Sequence, residues 1–329
     1  MLLLALLLTS VSCDETKLLV DLQEHGATTP RYTENPSYRV TNNNYQEFPG
    51  ELTDQGIVQM ENVGKELRRD YIEKKSFLPN EFKPQNFYLK SYRDEPSILS
   101  SYSSMLGAYP DSINWIQYQH MQGYSAAPFE REDEQKVRSA LGLGQNPSQL
   151  TTREATIWSE ANGRTFFNDP LSNCPQMQTQ MAQNLDQANT KYTQNRRFDA
   201  LYEQMSDTFG TPRNDINFKN AHLYLDDYVT SGANGKPVPQ FEEQVVADQW
   251  IENYYRSYYF DGLYGEDNDL AKVASNHYFN YVLTAMYGKY KTQKGDISSD
   301  HYENLKYAQF TGNENAMIAA IKVLNEKSA

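Results

Sequence analysis

Short hydrophobic runs and amphipathic stretches alternate in the first part of the chain. Lys17–Leu22 has the length and composition of a short buried strand, and the Gly and Pro residues of His25–Pro30 predict a turn directly after it. A helix is predicted next, with Thr53 as its N-cap. The apolar stripe of this helix follows helical spacing and consists of Ile57, Met60, Val63, Gly64, Leu67 and Tyr71.

The alternation of strand and helix then continues. Asn86–Lys90 predicts a second strand, and Ser97–Tyr109 predicts a second helix that Pro110 closes. Ile113–Met121 predicts a third strand. This βαβα order favours an α/β fold with helices packed on a largely parallel sheet.

The end of the chain returns to the same pattern. Leu305–Phe310 predicts a strand, Thr311–Asn315 a turn, and Ala316–Leu324 a helix. A strand, a turn and a helix at both ends of the chain indicate that the two ends build one α/β core.

The middle of the chain has a different composition. Residues 123–290 are rich in Gln, Asn, Asp and Tyr and predict helices with long connections, among them Ala247–Phe260 and Leu270–Met286. The tyrosine-rich stripe of the first of these helices is interpreted as core. We therefore expect an α/β core formed by residues 17–122 and 291–327, with residues 123–290 inserted as a mostly helical cap.

The chain opens with an apolar segment, Met1–Leu8, which is shorter than the roughly 20 apolar residues that span a bilayer. Residues 1–13 resemble the core of a signal peptide but no basic residue precedes it, so a cleaved signal and a retained hydrophobic segment both stay open. Cleavage predicts a secretory, extracellular or lysosome-like lumenal location. Retention predicts membrane contact in an organellar compartment. Loss of Cys13 would leave Cys174 alone, without an intrachain disulfide.

Charge narrows the range of partners. The chain of 329 residues carries a net charge of −13, which argues against nucleic acid or an anionic lipid surface as a main partner. Its histidines lie on no metal-ligand spacing, so we expect neither a metal ion nor another cofactor.

Four segments, in order along the chain, carry a resemblance to a known family. They are Leu22–Pro30, Gly50–Gly56, Tyr88–Ser97 and Phe310–Ala316. They resemble the motifs RHGxRxP, GxLTxxG, RSxDxxRT and YSAHDTT of the histidine acid phosphatase family, in the branch that contains secreted and lysosomal acid phosphatases. The resemblance implies a mixed sheet of the histidine-phosphatase, phosphoglycerate-mutase-like kind, flanked by helices and carrying an inserted helical cap.

The resemblance also implies a definite chemistry. In this family a histidine attacks phosphorus and becomes a phosphohistidine, which water then hydrolyses. Arginine side chains hold the phosphoryl oxygens, and a carboxylic acid beside a second histidine protonates the leaving oxygen. His25 falls on the position of the nucleophile.

The other parts of this machinery are replaced. Glu24, Thr28 and Lys90 stand where the resemblance places phosphate-binding arginines, so one ammonium replaces three guanidinium groups. Asn313 stands in the place of the second histidine, and Glu314 stands in the place of the acid. If all three charged residues faced the pocket, its formal charge would fall from about +2 in the family to about −1 here, histidines aside.

A doubly negative phosphate ester would be repelled by such a pocket. The sequence therefore predicts a catalytically inactive histidine-acid-phosphatase-like protein with a structural or interaction role, as a homodimer or as a subunit of a larger assembly. Two alternatives stay open: a diverged phosphomonoesterase with His25 as nucleophile, and a small-molecule-binding protein that uses the old cleft.

Overall fold

A computed structural model describes residues 16–32, 45–110, 113–114, 125–126, 131–143, 153–154, 156–159, 174–242, 244–266 and 268–325. The predicted signal-like segment and most of the predicted third strand lie outside these residues. No helix within the described ranges is long and apolar enough to cross a membrane.

The first part of the chain builds a parallel sheet with helical connections. Its elements are strand β1 (Leu19–Glu24), helix α1 (Asp54–Leu67), a π-helical turn (Arg68–Lys74), strand β2 (Phe87–Ser91) and helix α2 (Glu95–Ala108). Shorter elements follow: β3 (Ile113–Asn114), β4 (Ser125–Ala126), helix α3 (Arg131–Ala140), β5 (Arg153–Glu154) and β6 (Ile157–Ser159).

Helices dominate from Cys174 onward. They are α4 (Pro175–Gln194), α5 (Asp199–Phe209), α6 (Ala221–Ala233), α7 (Gln244–Ser257) with a π-helical extension (Tyr258–Leu263), α8 (Asp269–Gln293) and α9 (Asp300–Asn304). Strand β7 (Tyr307–Gly312) and helix α10 (Glu314–Asn325) follow them.

The main sheet has the strand order β1-β7-β2-β6-β4. All its neighbours are parallel except β4, which pairs antiparallel with β6. Strand β7 therefore returns from the end of the chain and inserts between β1 and β2, so that both ends of the chain contribute to one sheet, while the strand order itself was not predicted. This confirms the α/β class with a sheet flanked by helices. Strands β3 and β5 form a separate parallel pair.

The chain divides into two compact units. The first comprises Met1–Ala27, Leu52–Asn168 and Asn276–Met317, and the second comprises Thr28–Glu51, Asp169–Ser275 and Ile318–Ala329. The limits of the inserted cap, residues 123–290, stay a prediction.

The core of the first unit lies between the sheet and helices α1 and α2. Ile57, Tyr102 and Tyr307 are among the side chains without solvent exposure in this core. Helix α1 begins where the sequence predicts, because the Thr53 side chain accepts a hydrogen bond from the Gly56 N–H at 3.0 Å.

The core of the second unit is built from the tyrosine-rich helix. Tyr254 is fully buried, and its hydroxyl accepts from the His222 N–H at 2.9 Å and donates to the Phe218 carbonyl at 3.0 Å. Tyr258 is buried as well, while Tyr255 packs against this cluster half-buried. The interpretation of the tyrosine stripe as core is confirmed.

Candidate active site

The carboxyl ends of β1 and β7 bring two of the family-like motifs together. Glu24 pairs with Gly312 in register, and the His25 N–H donates to the Gly312 carbonyl at 3.1 Å. Ligand sites of parallel sheets form at the carboxyl ends of the strands, which is where His25, Asn313 and Glu314 lie. The predicted turn at Thr311–Asn315 is shorter than expected, because Thr311 and Gly312 belong to β7 and only Asn313 separates the strand from α10.

The His25 imidazole is held in one orientation. Its side chain is 7% exposed, and its Nδ1 lies 2.8 Å from the Gly26 carbonyl oxygen. A carbonyl oxygen can only accept, so Nδ1 carries the hydrogen of this bond. In the neutral ring Nε2 is then the nucleophilic nitrogen, and it lies 4.0 Å from Oε2 of Glu314.

Two glycines allow the loop after β1 to lie directly against helix α1. A Cβ atom on Gly26 would lie 2.4 Å from the Gly56 carbonyl oxygen, and one on Gly56 would lie 2.2 Å from the Ala27 carbonyl oxygen. The loop is also anchored by hydrogen bonds, because the Gly26 N–H donates to Ser100 Oγ at 2.9 Å and Thr53 Oγ1 donates to the Ala27 carbonyl at 2.9 Å. This packing fixes the position of His25.

Lys90 lies on the same sheet face as Glu24 but under an aromatic ring. Lys90 of β2 pairs with Phe310 of β7, and Phe310 pairs in turn with Leu22 of β1, which precedes Glu24 by two residues. Residues two apart on a strand point to the same face, so Lys90 and Glu24 share one face of the sheet. Its side chain is 2% exposed, and its Nζ lies 4.0 Å from the centroid of the Tyr281 ring. The ammonium therefore makes a cation–π contact with α8.

The remaining predicted residues are placed as follows. Thr28 belongs to the second unit, where it is 5% exposed and its carbonyl accepts from Asn234 Nδ2 at 2.9 Å. Asn313 and Glu314 are half-buried, and the Glu314 carboxylate lies in the first turn of α10, where a negative charge suits the helix dipole.

The position that closes the RSxDxxRT-like motif is occupied by Pro96. It lies in the first turn of α2, a position that favours proline, behind the N-cap Asp94, whose Oδ1 accepts from the Ser97 N–H at 2.9 Å. Because of this cap, α2 begins at Glu95, two residues before the predicted start. A proline ring offers no donor to a phosphate.

A buried polar seam behind the strand ends escaped the sequence reasoning. Gln23 Nε2 donates to Thr311 Oγ1 at 2.8 Å, Gln309 Nε2 donates to Ser104 Oγ at 2.8 Å, and Ser101 Oγ donates to Gln309 Oε1 at 2.6 Å. All five side chains are buried. The serine-rich sequence of α2 was the available signal, since serines on a buried helix need polar partners.

Farther along the seam lies a half-buried acid, Asp21. The Tyr307 hydroxyl donates to Asp21 Oδ2 at 2.8 Å and accepts from Gln309 Nε2 at 3.3 Å. Burial raises the pKa of the Asp21 carboxyl, and the hydrogen bond from Tyr307 partly offsets this effect.

Arg31, the closest arginine after the first motif, is exposed in the second unit. The backbone N–H groups of Arg31 and Tyr32 donate to Oδ2 of Asp226, at 2.7 and 3.3 Å. Burial raises the pKa of the Asp226 carboxyl, and the two N–H groups partly offset this rise.

Within the described part of the chain, no group of three His, Cys, Asp or Glu side chains is arranged to hold a metal ion.

Comparison with known proteins shows the fold. The chain superimposes on the apo phytase of Hafnia alvei with a TM-score of 0.60 at 14% identity, covering 94% of this chain and 75% of the phytase. The phytase of Citrobacter braakii gives a TM-score of 0.62 at 10% identity, covering 94% and 76%. The Klebsiella sp. ASR1 phytase gives 0.58 at 14% identity, covering 94% and 72%.

Sequence similarity is more local. A Caenorhabditis elegans protein named "Putative acid phosphatase F26C11.1" is 30% identical over 86 residues, which are 24% of this chain and 20% of that protein. The match thus spans one fifth of the length of this curated relative. No family model matches the chain. The fold predicted from the four motifs is therefore the fold of solved phytases.

Proposed function

We propose that this chain is a member of the histidine acid phosphatase family that has lost phosphoryl transfer and serves a structural or interaction role. The four motifs, the phytase fold and the local similarity to a protein named as an acid phosphatase support the family. The loss of activity rests on the residues around His25.

The observation that carries the proposal is that a carboxylate lies beside the imidazole while Glu24, Thr28 and Lys90 occupy the positions of the family's phosphate-binding arginines. The Glu314 carboxylate lies 4.0 Å from His25 Nε2, the atom that would attack phosphorus. At an effective dielectric constant of about 20, two unit charges 4 Å apart repel by about 4 kcal/mol, and a phosphate monoester carries up to two negative charges. A phosphate dianion placed for attack would therefore be opposed by the ionised Glu314.

The cations that would offset this repulsion are replaced or redirected. Glu24 precedes the histidine, Thr28 offers no charge, and the Lys90 ammonium contacts the Tyr281 ring. Loss of one preorganised donor to the transition state typically costs roughly 10²–10³ in rate. Such losses do not multiply simply, but two of them together would lower the rate by up to roughly 10⁴–10⁶.

A turnover assay tests the proposal. The purified chain and its His25→Ala variant are compared on an aryl phosphate near pH 5. The proposal predicts equal, background rates for the two proteins. A clear rate in the parent chain that His25→Ala abolishes would overturn it.

A gain-of-binding variant sharpens the test. Glu24→Arg replaces a carboxylate by the guanidinium group that the family motif carries at this position. We expect inorganic phosphate to raise the melting temperature of Glu24→Arg but not that of the parent chain. A Glu24→Gln variant serves as control, since it removes the negative charge without adding a donor fork.

The second candidate is a diverged phosphomonoesterase. The pairing of His25 with Glu314 favours it, because a protonated Glu314 would not repel the ester and could donate a proton to the leaving oxygen. In that case Glu314→Gln would lower the rate on aryl phosphates with poor leaving groups far more than on those with good ones. The same turnover assay separates the two candidates.

The proposed role requires a partner, which is either a second copy of this chain or another subunit of an assembly. We also propose that the protein is located in the secretory pathway or in a lysosome-like lumen. Light scattering of the purified chain and of complexes from its native compartment tests the first point. A strict monomer that enters no complex would contradict the interaction role. N-terminal sequencing of the native protein tests the second, since export predicts a mature end near Asp14.

A further inference from the structure

Helix α8 carries an apolar stripe that is exposed to solvent. It consists of Leu283, Met286, Tyr287 and Tyr290, which are 62%, 37%, 63% and 50% exposed. Spacings of three, one and three residues place the four side chains within an arc of about 100° on the helix. The opposite face of α8 supplies its own core residues, since Tyr278 and Val282 are buried. The stripe is therefore a second apolar face, and all of it lies in the first unit.

The size of this α8 stripe sets it apart from ordinary surface residues. Scattered exposed hydrophobic side chains are common on proteins, but a contiguous patch marks an interaction site. With about 200 Å² for each large side chain, the exposed fractions amount to roughly 400 Å². The largest apolar patch of a typical monomer is of about this size and is often functional. The stripe is thus large enough to form the centre of an interface.

The charges around the stripe differ from those of the rest of this acidic chain. Residues 276–295 contain no Asp or Glu, although 43 of the 329 residues of the chain are acidic. Lys291 and Lys294 lie at the carboxyl end of the stripe, with their ammonium groups 5.7 and 5.1 Å from the ring centroids of Tyr287 and Tyr290. Two copies of the chain can therefore meet at α8 without bringing carboxylates of this stretch together.

We propose that the α8 stripe is the interface of a homodimer in which the α8 helices of two copies pack antiparallel across a two-fold axis. The four positions of the stripe are symmetric about the point between Met286 and Tyr287. An antiparallel copy therefore places Leu283 opposite the partner's Tyr290. It also places Met286 opposite the partner's Tyr287. Each apolar position then meets an apolar position, as a two-fold interface requires of a single self-complementary surface.

Charge favours the antiparallel over the parallel arrangement. In a parallel pair the lysines of the two copies would lie side by side at the same level. In the antiparallel pair the Cα atoms of Lys291 in the two copies are about 13 Å apart along the helix axis, from a rise of about 1.5 Å per residue, and those of Lys294 are farther apart. This exceeds the Debye length of about 8 Å at physiological salt, so the repulsion between them is largely screened.

This inference rests on the proposed interaction role and names its partner and surface. A standard interface buries about 800 Å² per partner, which is about twice the area of the stripe. The polar residues that flank the stripe supply the remainder as a rim. We therefore expect a reversible dimer that dissociates on dilution.

Analytical ultracentrifugation of the full chain over a range of concentrations tests for this dimer. The parent chain should dimerise as its concentration rises. Leu283→Lys should weaken the dimer at least about tenfold, because it places an ammonium group in the apolar centre of the interface. Leu143→Lys is the matched control, since Leu143 is also an exposed leucine of the first unit, and it should leave dimerisation unchanged. Circular dichroism confirms that both variants are folded.

Cysteine crosslinking tests the orientation of the two helices. The two copies of Leu283 would lie about 10 Å apart along the axis, beyond the Cα separation of about 7 Å that a disulfide allows. A mixture of Leu283→Cys and Tyr290→Cys should therefore form a linked dimer under mild oxidation that neither variant forms alone. The parent chain, with its own cysteines, gives the background. Equal crosslinking of Leu283→Cys with itself would overturn the antiparallel arrangement.

Two results of the ultracentrifugation would overturn the inference. One is a parent chain that stays monomeric at every concentration, and the other is a dimer that Leu283→Lys leaves intact. Neither result bears on the proposed loss of phosphoryl transfer, which the turnover assay with His25→Ala measures separately. A dimer that survives Leu283→Lys would still support an interaction role, through a different surface.

Discussion

The crossing of helices α1 and α2 allows a sharp prediction about the first unit. Gly64 of α1 and Gly107 of α2 let the two backbones touch at this crossing. A Cβ atom on Gly64 would lie 1.8 Å from the Ser104 carbonyl oxygen, and one on Gly107 would lie 2.0 Å from the Glu61 carbonyl oxygen. These neighbours are backbone atoms of helices, which cannot rotate away as a flexible side chain can.

The magnitude follows from the movement that alanine would force. To restore a contact of even 3.0 Å, the helices must separate by about 1.2 Å at Gly64. A gap of that size forfeits about half of the dispersion attraction of neighbouring contacts, and overpacking costs typically about 1–3 kcal/mol. Alanine regains about 1 kcal/mol through helix propensity. We expect Gly64→Ala and Gly107→Ala each to lower the free energy of unfolding by up to about 2 kcal/mol.

Gly232 provides the control. It lies in helix α6, and a Cβ atom there would meet no atom within 4 Å. Gly232→Ala should therefore stabilise the chain, by up to about 1 kcal/mol. The double variant Gly64→Ala/Gly107→Ala should lose less free energy of unfolding than the two single variants lose together, because one separation of the helices relieves both clashes.

Urea unfolding followed by far-ultraviolet circular dichroism measures all four variants. The expected order of midpoints is Gly232→Ala, the parent chain, and then the two crossing variants. If Gly64→Ala and Gly107→Ala raised the midpoint as Gly232→Ala does, the close helix crossing would be refuted.

Further predictions concern ionisable groups that are buried or half-buried. Burial lowers the pKa of His222 to about 4. As the pH falls from 6.5 towards 4, the imidazole therefore takes up a proton in the unfolded chain before it does so in the folded chain, and the folded state loses stability. His222→Phe should remove up to about 3 kcal/mol of this loss, as measured by urea unfolding at several pH values. The pKa of Asp21 is raised in the folded chain, so the ionised Asp21 carboxylate destabilises the fold at pH values above this pKa. Asp21→Asn should therefore raise the urea midpoint at pH 7, and this gain should shrink as the pH falls towards 4. Lys289 Nζ donates to the Glu303 and Leu305 carbonyls at 2.6 and 2.9 Å, and Lys289→Met should destabilise the chain by about 1–3 kcal/mol, whereas an unchanged midpoint would show that these bonds contribute nothing.

Local signals in the sequence were sufficient for much of the fold. The Thr53 cap, the stripe after it and the short apolar runs at 17–22 and 305–310 predicted an element at each of these places. These elements depend on neighbouring residues, through capping and periodicity, and so they can be predicted without tertiary information.

Other features depend on residues far apart in the chain. Thr311 and Gly312 suggest a turn when considered alone, but β7 has a neighbour on each side and the pairing extends the strand through both. The contact of the Lys90 ammonium with the Tyr281 ring joins two distant parts of the chain and has no signal in the sequence around Lys90. The preference of a single segment cannot show such contacts.

Within the candidate site, the resemblance to the family implied that His25 and Glu314 share one pocket, and the structure has His25 Nε2 4.0 Å from Oε2 of Glu314. The orientation of the imidazole could not be predicted, since it depends on the Gly26 carbonyl and on the packing of Gly26 against Gly56. The roles of all the replaced positions stay predictions until the chemistry is measured.

Direct detection of a phosphorylated His25 tests the central claim, that the site no longer transfers a phosphoryl group. The chain and His25→Ala are mixed with an excess of ³²P-labelled aryl phosphate near pH 5, quenched in alkali, in which phosphohistidine survives, and the protein-bound label is counted. We predict the same background label in both proteins. Label that approaches one phosphoryl group per chain and disappears in His25→Ala would contradict the account.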